Sequence, residues 1–100
     1  MNRNKASSDL TDSLFKAILS LSDLEECRRF FEDLCTISEM RSMAQRWEVA
    51  SLLDSGVTFH TIAEATGAST TTISRVNRCL LYGADGYRLA LERMKEEKEP

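Results

Sequence analysis

Between residues 69 and 78, hydrogen-bonding side chains occupy positions that would point away from the interior of a helical protein. They are Thr70, Thr71, Thr72, Ser74, Asn77 and Arg78. Hydroxyl and amide groups both donate and accept hydrogen bonds, and a guanidinium group adds a permanent positive charge. A helix face that only contacts solvent more often carries Glu and Lys pairs. These residue types therefore predict a surface that binds a polar or anionic partner.

Apolar residues on either side predict the elements that position this surface. Ile62 and Ala63 suit the inner face of a short helix, and Ile73 and Val76 suit that of a second helix. Gly67 lies four residues after Ala63, where a tight turn between helices needs a positive φ. Two helices joined by a turn of three or four residues form a helix-turn-helix. The alternative is a helical hairpin in a plain bundle.

In a helix-turn-helix the second helix enters the major groove of DNA with its N-terminal residues on base edges. We therefore predict that a helix-turn-helix over about residues 58–81 binds double-stranded DNA. Thr58 and His60, at the start of the first helix, would meet the DNA backbone, and Ser69 would cap the second helix. The predicted DNA-binding residues are Thr58, His60, Ser69, Thr70, Thr71, Thr72, Ser74, Asn77 and Arg78.

The net charge leaves a second interpretation open. Thirteen Lys and Arg against sixteen Asp and Glu give a net charge of −3, which counts against a protein that coats DNA through charge alone. A protein-interaction module on a helix-turn-helix scaffold without DNA binding would fit that charge. Phosphate contact depends on local charge, however, and the charged residues between Val57 and Tyr82 are Glu64, Arg75 and Arg78. Sequence-specific DNA binding is therefore the leading hypothesis.

Helical periodicity extends over the rest of the chain. Apolar residues at helical spacing predict a first helix from about Leu10 to Leu21. Ser22 followed by Glu25 predicts a capping box for a second helix, and Thr36 followed by Glu39 predicts one for a third, longer helix. The expected apolar stripe of that third helix consists of Met40, Met43, Ala44, Trp47, Ala50 and Leu53.

These patterns predict an all-α fold of six helices in one domain over residues 1–100, with fraying at residues 1–8 and 96–100. The adjacent Phe30 and Phe31 point to different faces of the second helix. One monomer would cover both rings poorly, so a homodimer is expected, as a two-fold reader of DNA requires. The alternative is a compact monomer in which Phe31 is half exposed.

Cysteine and histidine usage gives no catalytic or metal site. Cys27, Cys35 and Cys79 are odd in number and form no C-x-x-C pair, and His60 is the single histidine. The expected state is three reduced, partly buried thiols in a cytoplasmic protein. No stretch approaches the ~18 apolar residues of a membrane span. We therefore expect neither an enzyme nor a membrane partner.

Three segments, together with the order of the helices, resemble the Trp repressor family, with the best match from Leu34 to Met94. They are LCTISEMR at 34–41, QRWEVASLLDSG at 45–56 and IAEATGASTTTISR at 62–75. The resemblance implies an intertwined, all-helical homodimer that regulates transcription, in the first instance as a repressor. It also implies two DNA-contacting helices about one DNA turn apart, roughly 34 Å.

The founding members of that family bind tryptophan as corepressor, and the resemblance places Thr36, Arg46 and Arg75 at ligand-holding positions. Each has a simpler role as well: a helix cap, an ion pair or a phosphate contact. Val76 stands where the tryptophan binders have a Gly, and Cys79 where they have a Ser. Overpacking of this kind costs ~1–3 kcal/mol. We therefore expect no cofactor, tryptophan included, and another small effector in a candidate pocket of these five residues is the alternative.

Overall fold

A computed structural model describes residues 3–98 of the chain. The all-α prediction is confirmed over this range, which contains six helices and no strand. The helices are α1 (Arg3–Leu19), α2 (Leu24–Leu34), α3 (Ile37–Asp54), α4 (Phe59–Thr66), α5 (Thr70–Tyr82) and α6 (Gly86–Lys98).

Helices α1 and α6 extend further towards the termini than the sequence indicated. Helix α1 begins at Arg3 rather than near Leu10, and α6 continues to Lys98. Residues 3–8 and 96–98 are therefore helical, although fraying was expected there. Fraying concerns the local stability of these helix ends, so it stays a prediction there. Residues 1, 2, 99 and 100, where fraying was also predicted, lie outside the described residues.

The packing divides the chain into two compact units, one that ends at Met40 and one that begins at Arg41. The sequence favoured a single domain over residues 1–100. The boundary between the units falls inside α3, where no Pro, Gly or charge run marks it. The division is one of packing, and the single domain over residues 1–100 stays a prediction.

In the first unit, α2 begins one residue later than its predicted capping box. Asp23, not Ser22, is the N-cap: its carboxylate accepts from the Glu26 N–H at 2.9 Å. The Ser22 N–H donates to Glu26 Oε1 at 2.7 Å, so Glu25 takes no part in the box. The prediction was wrong by one residue because Asp and Ser are equally good N-caps and stand side by side here.

The capping box at the start of α3 is confirmed. The Thr36 N–H donates to Glu39 Oε1 at 2.9 Å, and the Glu39 N–H donates to Thr36 Oγ1 at 3.1 Å. A hydrogen bond from the Thr36 backbone, and secondly one from the Thr36 side chain, hold the pKa of the Glu39 carboxyl below its ordinary value. Both favour the ionised carboxylate, which suits the positive end of the helix dipole.

None of the described side chains from residue 8 to residue 40 is buried. Phe30 and Phe31 are half-buried and meet edge to face, with ring centroids 5.6 Å apart. Several large apolar side chains of this unit are exposed. They are Leu10, Phe15, Leu19, Leu24, Leu34, Ile37 and Met40.

The second unit contains a core that joins α3, α4 and α5. Its buried members are Val49, Ala50, Ile62, Ala68, Ile73 and Val76. Ile62, Ile73 and Val49 are completely inaccessible to solvent, and each such side chain contributes about 1.5–3 kcal/mol on burial. This core fixes α4 and α5 against α3.

The buried side of α3 differs from its predicted stripe. Val49 and Ala50 are its two buried residues, whereas Met40 and Ala44 are exposed. Two neighbouring positions are both buried because this side of α3 shares a core with α4 and α5 at once. The predicted stripe omitted Val49 because it assumed that α3 packs against a single partner helix.

Helix α6 packs on α5 and is tied to the end of α3. Leu91 is buried, and Lys95 Nζ lies 2.7 Å from Asp54 Oδ2. The turn before α6 depends on Gly83, where an added Cβ would collide with the Cys79 carbonyl oxygen. The Gly83 N–H donates to that same oxygen at 2.8 Å, which closes the end of α5.

Candidate nucleic-acid interface

Helix α5 has one buried side and one exposed side. Ile73, Val76 and Leu80 are at most 5% exposed and follow one another at helical spacing. Because they hold the rotation of α5 about its axis, the opposite side must face solvent. That side forms a shallow surface depression lined by Thr70, Thr71, Ser74, Arg75 and Arg78.

All five residues are exposed. Four of them belong to the nine predicted DNA-binding residues, and the fifth, Arg75, was predicted as an effector residue instead. Ser69 is exposed as well, just before the helix. Thr72 and Asn77 are half-buried and do not line the depression. The structure therefore brings hydroxyl groups and two guanidinium groups together on the outward side of α5.

The hydroxyl of Ser69 has a structural role at the start of α5. It accepts from the Thr72 N–H at 3.1 Å and donates to Thr72 Oγ1 at 3.1 Å. These bonds order the first turn, where the helix dipole adds partial positive charge beside Thr70 and Thr71. The side chains of Ser69 and Thr72 thus bind each other, and a DNA contact by either stays a prediction.

The start of α4 repeats this capping arrangement. Thr58 Oγ1 accepts from the Thr61 N–H at 3.3 Å and donates to Thr61 Oγ1 at 3.0 Å. His60 is exposed, and its Nε2 lies 3.0 Å from Glu64 Oε1 on the next turn. The imidazole that was predicted to meet the DNA backbone therefore has a carboxylate beside it.

The turn between α4 and α5 has the conformation that the sequence predicted. Gly67 has φ 73° and ψ 5°, the left-handed region that L-residues with a side chain avoid. Ala68 follows it with its methyl group buried in the core. The Gly67 N–H donates to the Ala63 carbonyl at 2.9 Å and ends α4.

Two polar residues that the sequence did not single out hold this turn. Gln45 Nε2 donates to the Thr66 carbonyl oxygen at 3.1 Å. The Thr66 hydroxyl donates to the Ile62 carbonyl at 2.7 Å and accepts from the Ala68 N–H at 3.1 Å. The bond from Gln45 spans 21 residues, so no local pattern could indicate it.

Four of the five candidate effector residues line one pocket of about 270 Å³. Arg46 comes from α3, and Arg75, Val76 and Cys79 come from α5. Thr36 belongs to the first unit, where its observed role is the capping box with Glu39. The remaining lining residues are Ser42, Gln45, Thr72 and Tyr87.

Val76 and Cys79 form two different parts of the pocket wall, one buried and one exposed. Val76 is 2% exposed and belongs to the core, so its isopropyl group is a fixed part of the pocket wall. Cys79 is a free, exposed thiol, and the expectation that all three thiols are partly buried is wrong for it. Cys79 lies beside an open pocket rather than beneath another helix; Cys27 and Cys35 are half-buried as expected.

The described residues offer neither a metal site nor a membrane-spanning helix. No group of three His, Cys, Asp or Glu side chains in that part of the chain could hold a metal ion. Among the six helices described, none is both long enough and apolar enough to cross a bilayer.

Comparison with known proteins identifies the family. The family model described as "Trp repressor protein" matches residues 9–95. The chain belongs to the Trp repressor family. The helix-turn-helix and the pocket beside it lie wholly inside the matched range, so the resemblance suggested by the sequence is confirmed.

Relatives within the Trp repressor family agree along most of the chain. The uncharacterized protein YerC of Bacillus subtilis (strain 168) is 65% identical over 85 residues, 85% of this chain and 82% of that protein. A crystal structure of a candidate Trp repressor from Staphylococcus aureus has a TM-score of 0.86 at 47% identity, covering 95% of each chain. A TrpR-like protein from Eubacterium eligens ATCC 27750 has a TM-score of 0.87 at 55% identity, covering 93% of this chain and 96% of that one.

Proposed function

We propose that this protein is a sequence-specific DNA-binding transcriptional regulator that acts as a repressor through α5. The observation that carries the proposal is the outward side of α5, with Thr70, Thr71 and Ser74 exposed while Ile73 and Val76 fix the helix in the core. Ser and Thr hydroxyls bond either donors or acceptors on base edges, and a Thr methyl group packs on a thymine methyl group. Membership in a repressor family supports the same function.

Phosphate binding would come from few charges. Arg75 and Arg78 are both exposed on α5, and the N-terminal end of the helix adds partial positive charge. Two copies of α5 would neutralise about four phosphates, so log K should fall with log salt with a slope of roughly −4. The net charge of −3 gives the rest of the surface no general affinity for DNA.

Homodimerisation is part of the proposal. The exposed apolar side chains of the first unit, Phe15 and Leu19 among them, would be covered by a second copy. A two-fold dimer would present two copies of α5 to the two halves of a palindromic site, one helical turn of DNA apart. As a DNA-binding regulator the protein would act in the cytoplasm, which also stays a prediction.

The proposal is tested by selecting bound duplexes from a random-sequence library with the full chain. We expect a palindromic consensus whose half-sites are about 10 base pairs apart, centre to centre. A protein-interaction module would enrich no sequence. Failure to enrich any duplex at low salt would therefore support that second interpretation and overturn ours.

We propose further that the pocket beside α5 does not accept tryptophan. The isopropyl group of Val76 is held in the core and cannot move aside without disturbing Ile73 and its neighbours. Isothermal titration calorimetry with tryptophan should give no binding heat for the wild type. Binding at micromolar affinity would contradict the proposal.

A further inference from the structure

Gln45 makes a hydrogen bond between α3 and the turn of the helix-turn-helix. It is half-buried on α3, and its Nε2 donates to the Thr66 carbonyl oxygen at 3.1 Å. Thr66 is the last residue of α4, where carbonyl groups lack partners within the helix. The Gln45 amide supplies that partner from the helix that carries much of the core.

Thr66 extends this connection to both sides of the turn. Its hydroxyl donates to the Ile62 carbonyl at 2.7 Å and accepts from the Ala68 N–H at 3.1 Å. Ser69, which follows Ala68, is the N-cap of α5. A series of hydrogen bonds therefore leads from α3 through Thr66 to Ala68, the residue before the N-cap of α5.

Apolar packing and hydrogen bonding constrain α5 in different ways. Burial of Ile73 and Val76 keeps α5 against the core, but the hydrophobic effect has no preferred direction. Hydrogen bonds weaken steeply when their angle changes. The Gln45 bond thus restricts a sideways displacement of the turn that the core alone would tolerate.

We propose that Gln45 is a positioning residue that sets where the first turn of α5 lies against the edges of the bases. This inference rests on the proposed DNA binding. Displacement of the turn moves Thr70 and Thr71 directly, because they follow the Ser69 cap without an intervening residue. Gln45 therefore contributes to the preference for one DNA sequence, whereas phosphate contacts tolerate small shifts of the helix.

The test compares Gln45→Met, which keeps the length of the side chain but removes the donor, with Glu48→Met, an exposed position one turn along α3. Dissociation constants are measured by fluorescence anisotropy for the selected duplex and for a scrambled duplex, well below the melting temperature. The ratio of the dissociation constant for the scrambled duplex to that for the selected duplex measures the sequence preference. We expect Gln45→Met to lower this ratio by roughly five- to tenfold, as the loss of about one base contact would. Glu48→Met should leave the ratio unchanged.

A purely structural role for Gln45 would lower the melting temperature and leave that ratio as in the wild type, which would overturn the inference alone. A wild-type chain that prefers no duplex would overturn the proposed function and the inference together. Thr66→Val, which removes the hydroxyl group that binds Ala68, provides a second variant if Gln45→Met does not fold. It should lower the same ratio, and an unchanged ratio would again overturn the inference.

Discussion

Thr71 shows how single side chains of α5 could recognise DNA. It is exposed in the first turn, between Thr70 and the half-buried Thr72. Its hydroxyl group can bond a base edge or a phosphate, and its methyl group can pack on a thymine. These two contributions can be separated because Ser keeps the hydroxyl group and Val keeps the shape.

We expect Thr71→Val to weaken binding to the selected duplex by about 1–3 kcal/mol, because the hydrogen bond to a base is lost. Thr71→Ser should keep most of the affinity. It should reduce the preference for thymine only at a base pair whose thymine methyl group contacts the Thr71 methyl group. Anisotropy titrations against the selected duplex and its single-base variants measure both effects. Equal affinities for Thr71→Val and the wild type would mean that this residue contacts no base.

The sequence predicted individual site residues where a local pattern or a family position indicated them. Arg46, Arg75 and Cys79 were assigned together from the resemblance, and the structure places them around one pocket. Gln45 was missed because its partner, the Thr66 carbonyl, is 21 residues away. A long-range side-chain bond to the backbone leaves no periodic trace in a single sequence.

The turn between α4 and α5 depends on the backbone conformation of Gly67. We expect Gly67→Val to lower the free energy of unfolding by about 1–3 kcal/mol, because a β-branched residue resists a φ of 73°. No atom lies within 4 Å of an added Cβ, so the cost is conformational rather than a collision. Gly67→Asn is the matched control, because Asn adopts this conformation more readily. Urea denaturation that gave both variants wild-type stability would contradict this explanation.

The capping box of α3 gives the first unit a pH-dependent contribution. Since bonds from Thr36 lower the pKa of Glu39, the ionised carboxylate stabilises the helix above the ordinary pKa of 4.5. That contribution is lost as the pH falls through the lowered folded-state pKa. An NMR titration of the Glu39 carboxyl carbon should show the low pKa, and Thr36→Val should raise it. The rise should be partial, because Thr36→Val keeps the backbone N–H that is the larger cause, and a wild-type Glu39 pKa at or above 4.5 would contradict the assignment.

Helix ends were predictable to the extent that their caps are local. Thr36, Thr58 and Ser69 each cap the helix predicted from their sequence. The start of α2 was shifted by one residue because two good N-caps, Ser22 and Asp23, are adjacent. Which side of α3 is buried depends on the helices it meets, and a single-helix pattern does not contain that information.

At the scale of the whole molecule, the exposed apolar side chains of the first unit favour association of two copies. We expect the wild type to sediment as a dimer in analytical ultracentrifugation and Phe15→Lys to shift it towards monomer. Phe15 is 53% exposed, and covering the exposed half of the ring would contribute about 1 kcal/mol for each copy, roughly half of the value for full burial. Lys16→Glu, at an exposed polar neighbour on α1, should leave the dimer intact. A monomeric wild type at micromolar concentration would contradict the homodimer.

The central claim is that the outward side of α5 distinguishes one DNA sequence from another. The most direct test measures the preference for the selected duplex over a scrambled one, for the wild type and for a variant combining Thr70→Ala, Thr71→Ala and Ser74→Ala. The wild type should prefer the selected duplex by about a thousandfold or more. The variant should lose most of that preference while its melting temperature, checked by circular dichroism, changes little, because the three positions are exposed. A folded variant with the full wild-type preference would contradict the claim.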